Sequence, residues 1–116
     1  MSTTTDSSSG EAELREQVKV LGEKFLLRTA DQITTLRAHV ARLRAGDKDV
    51  LVAMQELAHK IHGSGAMFGF AALSDRAGEI EHLIAAEPAA VGATADRLGA
   101  LIDELAAALE ATQRKN

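Results

Sequence analysis

Residues 57–70 read LAHKIHGSGAMFGF, a stretch with a helical pattern that nevertheless contains two glycines, Gly63 and Gly65. A glycine inside a helix costs about 1 kcal/mol relative to alanine. Apolar residues recur every three or four positions here, which predicts one buried helix face. At about 100° per residue, that face spans about 60° on either side of its first member and comprises Met54, Leu57, Ala58, Ile61, Gly65 and Phe68.

Two histidines of the stretch fall outside this buried arc. His59 lies about 140° from Met54, on the solvent side, and His62 lies about 80° away, at the border of the core. Gly63 follows His59 by four residues and is therefore its neighbour one turn further along the same face. A side chain there would crowd the imidazole, so Gly63 leaves one flank of His59 open.

The next helix is predicted to supply a partner for His59. If the chain reverses at Gly69, Gly78 and Glu81 lie about 14 and 18 Å beyond the reversal, close to the height of His59 at about 15 Å. We expect Glu81 to accept the ring N–H of His59 and Gly78 to clear space beside that ring. An imidazole held through one nitrogen presents the other as a nucleophile.

Composition places this site in a small helical domain. The chain has 116 residues, of which 46% are hydrophobic and only 3% aromatic, and its abundant alanine and leucine favour helix over sheet. The first segment shows two runs at helical spacing, and its first run is expected to be a buried stripe. These runs are Leu14, Val18, Leu21 and Phe25, then Ile33, Leu36, Val40 and Leu43.

Breaks in the pattern mark the helix ends. A bend near Thr29 would divide the first segment, and the alternatives of one bent helix and two helices both stay open. Gly46 suits a C′ position and Asp47 an N-cap. Further helices are expected at about residues 48–68, at about 70–86 and after Pro88, which suits a first helical turn. Short connections favour antiparallel neighbours, so the fold class is all-α, an antiparallel four-helix bundle.

Several classes of function are disfavoured. A net charge of −4 argues against nucleic acid, because binding phosphates requires a basic face. No apolar run reaches the roughly 20 residues that span a bilayer, and residues 1–10 lack the features of a signal peptide. We expect residues 1–10 to be a disordered tail and residues 11–116 to be a single domain. The expected protein is cytoplasmic and monomeric, without nucleic-acid or membrane partners.

The residues around His59 resemble the histidine-containing phosphotransfer (HPt) domain of multistep two-component phosphorelays. The signature of that family is approximately A-H-x-L-K-G-S/A-x-x-x-x-G, followed by a leucine and then by L/I-E or L/I-Q. The matching residues here are Ala58, His59, Ile61, Gly63, Ser64, Gly69, Leu73, Ile80 and Glu81. The resemblance covers about residues 14–110.

This resemblance implies a bundle whose histidine accepts a phosphoryl group from a receiver-domain aspartate and passes it to another receiver. His59 takes the acceptor role, Gly63 the access-giving role and Glu81 the ring-orienting role. The family usually has lysine where this chain has His62, which would support the phosphoryl charge in its place. The implied partners are response-regulator receiver domains and a hybrid sensor histidine kinase, with Mg²⁺ on the receiver and no cofactor in this chain. No glycine-rich nucleotide loop is present in the sequence, so ATP binding and autokinase activity are not expected.

Two other hypotheses stay open. Glu56-x-x-His59 and Glu79-x-x-His82 have the spacing used by di-metal helical bundles, although the helical wheel turns all four side chains away from the apolar faces. Alternatively, the bundle has the HPt fold but only binds a partner and carries no phosphoryl group.

Overall fold

The computed structural model describes residues 3–87 and 92–115, with side chains from residue 10 onward. This part of the chain forms four helices, α1 (Thr3–Arg44), α2 (Val50–Met67), α3 (Ala71–Ala86) and α4 (Gly92–Lys115). α1 packs against α2 and α4, and α3 packs against the same two helices. Each helix thus lies between its neighbours in a ring, which confirms the all-α four-helix bundle. None of the described helices is both long and apolar enough to cross a bilayer.

The connection between α1 and α2 follows the predicted glycine but not the predicted cap. Gly46 has φ of +100°, and its N–H and that of Asp47 donate to the carbonyls of Leu43 and Arg42. The prediction of Asp47 as the N-cap is wrong, because Asp49 occupies that position. The Asp47 carboxylate is engaged within the turn instead, where it accepts the Asp49 N–H at 3.1 Å and pairs with Arg42 at 2.5 Å.

The reversal between α2 and α3 occurs at Gly69, as predicted. Gly69 has φ of +79°, a left-handed conformation that favours glycine because it has no Cβ. The N–H of Phe70 donates to the carbonyl of Gly65 at 2.8 Å. Beside this turn, Phe25 of α1 stacks on Phe68 and Phe70, with ring centroids 5.6 and 6.0 Å apart. All three aromatic residues of the chain thus close one end of the bundle.

α1 is one continuous helix. Thr29 does not cap a second helix, because its hydroxyl donates to the carbonyl of Phe25 at 2.8 Å, four residues earlier. That bond leaves Thr29 fully buried with its polar group satisfied, so no break in the helix is needed.

The first part of α1 extends beyond the bundle. Leu14, Val18 and Leu21 are 61%, 48% and 53% exposed, whereas Phe25 is 3% exposed, so the prediction of one buried stripe is wrong for its first three members. The reason is length, since α1 has 42 residues while α2 and α3 have 18 and 16. The α2–α3 turn lies level with Gly22, and within the described residues no helix flanks α1 before that point.

The core lies between the four helices and is almost entirely aliphatic. Its fully buried larger side chains come from all four helices and comprise Leu36, Leu43, Met54, Ile61, Leu73, Ile80, Leu98, Ile102 and Leu105. Pro88, expected in the first turn of the last helix, lies outside the described residues. α1 begins at Thr3, within the segment predicted to be a disordered tail, and the division of the chain at residue 11 stays a prediction.

Candidate functional site

His59 projects from the middle of α2 into solvent. Its neighbours Ala58 and Ile61 are fully buried, and at about 100° per residue this burial turns His59 outward. The His59 side chain is 72% exposed. This is the orientation that the helical pattern predicts.

Glu81 of α3 holds the ring of His59. The Nδ1 atom of His59 lies 2.7 Å from Oε2 of Glu81, whose side chain is 27% exposed. A carboxylate at this distance accepts a hydrogen bond from Nδ1, so in the neutral imidazole the lone pair is on Nε2. The structure therefore brings together the two residues that the sequence places at one height, and it leaves Nε2 as the free nitrogen.

His62 faces α3 from one turn further along α2. Its Nδ1–H donates to the carbonyl of Ser74 at 2.8 Å and lies 3.1 Å from the Ser74 hydroxyl. That hydroxyl donates in turn to the carbonyl of His62 at 2.8 Å. Ser74 was not singled out by the sequence, because a serine on a mostly apolar helix face carries no recognisable signal of its own.

The glycines near the histidines have different neighbours. A Cβ at Gly63 would meet no atom within 4 Å, whereas one at Gly65 would lie 3.1 Å from the backbone nitrogen of Ser74. Gly65 thus permits the close approach of α2 and α3. A Cβ at Gly78 would lie 3.0 Å from Nδ1 of His62, so the expectation that Gly78 clears space beside His59 is wrong. The ring that it accommodates is that of His62.

The surface around His59 is a shallow depression with mixed polarity. It is lined by α2 and α3 residues, namely Val52, Gln55, Glu56, His59, Lys60 and Glu81. Val52 is 65% exposed, and at the end of α2 Met67 is 73% exposed. Phe70, which follows the α2–α3 turn, packs in the aromatic cluster with Phe25.

The residues of the two Glu-x-x-His motifs do not converge. Glu56, His59, Glu79 and His82 are all exposed. Glu79 pairs with Arg76 at 2.7 Å. The hydrogen bond and the negative charge of Glu79, and to a smaller extent the charge of Glu104, raise the pKa of the Arg76 guanidinium above its usual range. Across residues 10–87 and 92–115, the structure shows no group of three or more histidine, cysteine or carboxylate side chains placed to hold a metal ion.

Comparison with known proteins identifies the family to which the chain belongs. The family model of the Hpt domain matches residues 20–114, which is most of the chain and includes α2, α3 and the larger parts of α1 and α4. No curated protein and no solved structure gives a match. The resemblance seen around His59 is therefore confirmed, and the chain belongs to the Hpt domain family, whose general function is phosphotransfer in phosphorelays.

Proposed function

We propose that His59 is the phosphoacceptor of this protein. It would take a phosphoryl group from the aspartyl phosphate of a receiver domain and pass it to the aspartate of a second receiver. The observation that carries this proposal is the exposed imidazole with Nδ1 bound to Glu81 and Nε2 free. Among the described histidines of α2, His59 alone combines a carboxylate partner with a largely exposed ring.

In the proposed reaction, Nε2 of His59 attacks the phosphorus of the aspartyl phosphate. The N–P bond forms as the P–O bond to the aspartate breaks, and the electron pair of that bond leaves with the receiver's carboxylate. The ring keeps its Nδ1 proton and becomes cationic, so Glu81 stabilises the product through a charge-assisted hydrogen bond. Transfer to the second receiver reverses these steps.

Catalysis of phosphoryl transfer is mostly a matter of position and charge stabilisation. Glu81 fixes the direction of the ring, and Gly63 leaves the receiver's active site free to approach, since no side chain projects from that position. We expect Mg²⁺ to be supplied by the receiver rather than by this chain. The partners would be response-regulator receivers and a hybrid sensor kinase, in the cytoplasm, and the monomeric state stays a prediction.

His62 is the second histidine whose role in phosphoryl transfer depends on its hydrogen bonds. The sequence suggests that its charge supports the phosphoryl group in place of a lysine. Because Nδ1 is bound to Ser74, only Nε2 is left for that role, and this nitrogen has no charge unless the ring takes up a second proton.

The test is transfer of labelled phosphoryl from a phosphorylated receiver domain to the wild-type protein and to His59→Gln. His82→Gln serves as the matched control, because His82 is another exposed histidine on the neighbouring helix. We expect acid-labile, base-stable label on the wild type and on His82→Gln, and none on His59→Gln. Label on His59→Gln would refute the assignment. Receiver binding without label on any form would favour the module that only binds a partner.

A further inference from the structure

Two reciprocal hydrogen bonds join α2 to α3 one turn away from His59. The side chain of His62 donates to the backbone of Ser74, and the side chain of Ser74 donates to the backbone of His62, both at 2.8 Å. Each residue therefore binds the other helix's main chain. We call this pair the His62–Ser74 clasp.

The clasp depends on the close approach of the two helices. A Cβ at Gly65 would lie 3.1 Å from the nitrogen and 3.3 Å from the Cα of Ser74. On the other helix, a Cβ at Gly78 would lie 3.0 Å from Nδ1 and 3.2 Å from Cε1 of His62. Real Cβ atoms rarely come this close to other heavy atoms, so both glycines leave room for the clasp. Ser74 itself is 5% exposed, which shields its hydrogen bonds from water.

The exposed pair of His59 and Glu81 cannot set the position of one helix against the other. Exposed ion pairs contribute little because water competes for both partners, and the His59 side chain is 72% exposed. The clasp bonds are partly buried, and a polar group that loses its partner away from water is not fully compensated by hydration. The clasp is thus the stronger constraint on the register of α3 against α2.

The clasp is close enough to control the site. On α2, His62 follows His59 by three residues, about 4.5 Å along the axis, and on α3 Glu81 follows Ser74 by seven residues, about 10.5 Å or two turns. A displacement of α3 by one ångström along the line that joins Nδ1 and Oε2 would lengthen their 2.7 Å contact beyond a good hydrogen bond.

We propose that His62 and Ser74 are positioning residues, whose clasp fixes the register in which Glu81 meets the ring of His59. This inference rests on the proposed role of His59 as phosphoacceptor. It assigns His62 a role in geometry rather than in charge. The two roles differ in what they require of the side chain, namely a donor at the place of Nδ1 or a positive charge.

Three substitutions at position 62 separate these roles. His62→Asn keeps a donor near the place of Nδ1 and carries no charge. His62→Leu has nearly the shape of asparagine but no donor. His62→Lys introduces the positive charge of the lysine that the family usually has, but it cannot reproduce the clasp. Ser74→Ala is a fourth variant that removes one bond of the clasp with little change in volume, and it keeps the test usable if a position-62 variant unfolds.

Two readouts are needed on each full-length variant. The first is the initial rate of phosphoryl uptake from a phosphorylated receiver. The second is the ¹⁵N spectrum of the His59 ring, which reports the population of the Nδ1–H tautomer and requires no phosphoryl transfer. If the wild type takes up no label, the proposed function fails, whereas the ring spectrum still tests the clasp.

We expect His62→Leu, His62→Lys and Ser74→Ala to slow uptake about tenfold, because small misplacements of reacting groups are costly, and to reduce the Nδ1–H population at His59. His62→Asn should rescue most of the rate and the tautomer lost in His62→Leu. The proposal is overturned if His62→Asn and His62→Leu have the same rate and the same His59 spectrum. It is also overturned if His62→Lys equals or exceeds the wild type, which would establish charge support.

Discussion

Nδ1 of His59 lies 2.7 Å from Oε2 of Glu81, although 22 positions separate the two residues in the chain. The reversal at Gly69 brings them to one height, and the packing of α2 on α3 brings them into contact. This contact selects the tautomer of His59 and leaves Nε2 free.

Substitutions of Glu81 should separate its hydrogen bond from its charge. Glu81→Gln keeps an acceptor for Nδ1–H but loses the charge that stabilises the cationic ring, whereas Glu81→Ala loses both. We expect initial rates of phosphoryl uptake to fall several-fold in Glu81→Gln and about 10- to 100-fold in Glu81→Ala, the range found when a carboxylate that orients a metal-binding histidine is removed. Equal rates for the two variants would show that the hydrogen bond to the ring contributes nothing.

Substitution by alanine should have opposite effects on the stability of the fold at Gly63 and at Gly65. Gly63→Ala places its Cβ in open space and should stabilise the protein by up to about 1 kcal/mol through helix propensity. Gly65→Ala places its Cβ 3.1 Å from the Ser74 nitrogen and should destabilise it by about 1–3 kcal/mol through overpacking. Urea unfolding of both variants measures these free energies.

Phosphoryl-transfer assays test whether Gly63 gives the receiver access to His59. If Gly63 serves access, Gly63→Ala should remain fully folded yet accept phosphoryl groups more slowly from a receiver. A bulkier Gly63→Val variant should be slower still. Unchanged rates in both variants would mean that access does not require a glycine there.

Gly78→Ala should displace His62. The new Cβ would lie 3.0 Å from Nδ1 of His62, whose ring is held by hydrogen bonds to Ser74. We expect a loss of about 1–2 kcal/mol in the free energy of unfolding. In the double variant Gly78→Ala/His62→Ala, the loss in free energy of unfolding should be much smaller than the sum of the losses in the two single variants, because the two residues are in contact. Additive effects in this double-mutant cycle would exclude a clash between them.

Two leucines of α1 test the extension of that helix beyond the bundle. Leu21 is 53% exposed and Leu36 is fully buried. Leu36→Ala should destabilise the fold by about 2–5 kcal/mol, whereas Leu21→Ala should change stability by less than about 0.5 kcal/mol. Thermal and urea unfolding measure both. A large loss for Leu21→Ala would place that side chain in a packed environment.

Local chemistry in the sequence determined much of this protein. Helical periodicity predicted the buried face of α2, because the spacing of apolar residues specifies which side of a helix avoids water. Gly46 and Gly69 marked two turns, because each adopts a positive φ that other residues rarely tolerate. The same periodicity turned His59 outward and placed Glu81 near it.

Tertiary structure alone decided which neighbours these faces meet. Periodicity shows that Leu14, Val18 and Leu21 lie on the same side of α1. It does not show whether another helix packs against that part of α1, and none of the described helices does. A helical wheel places His62 at the border of the core, but only the packing of α2 on α3 directs its ring to Ser74 and Gly78. The reason is that spacing along one helix is a local property, whereas burial and hydrogen bonding between helices depend on their lengths, distance and register.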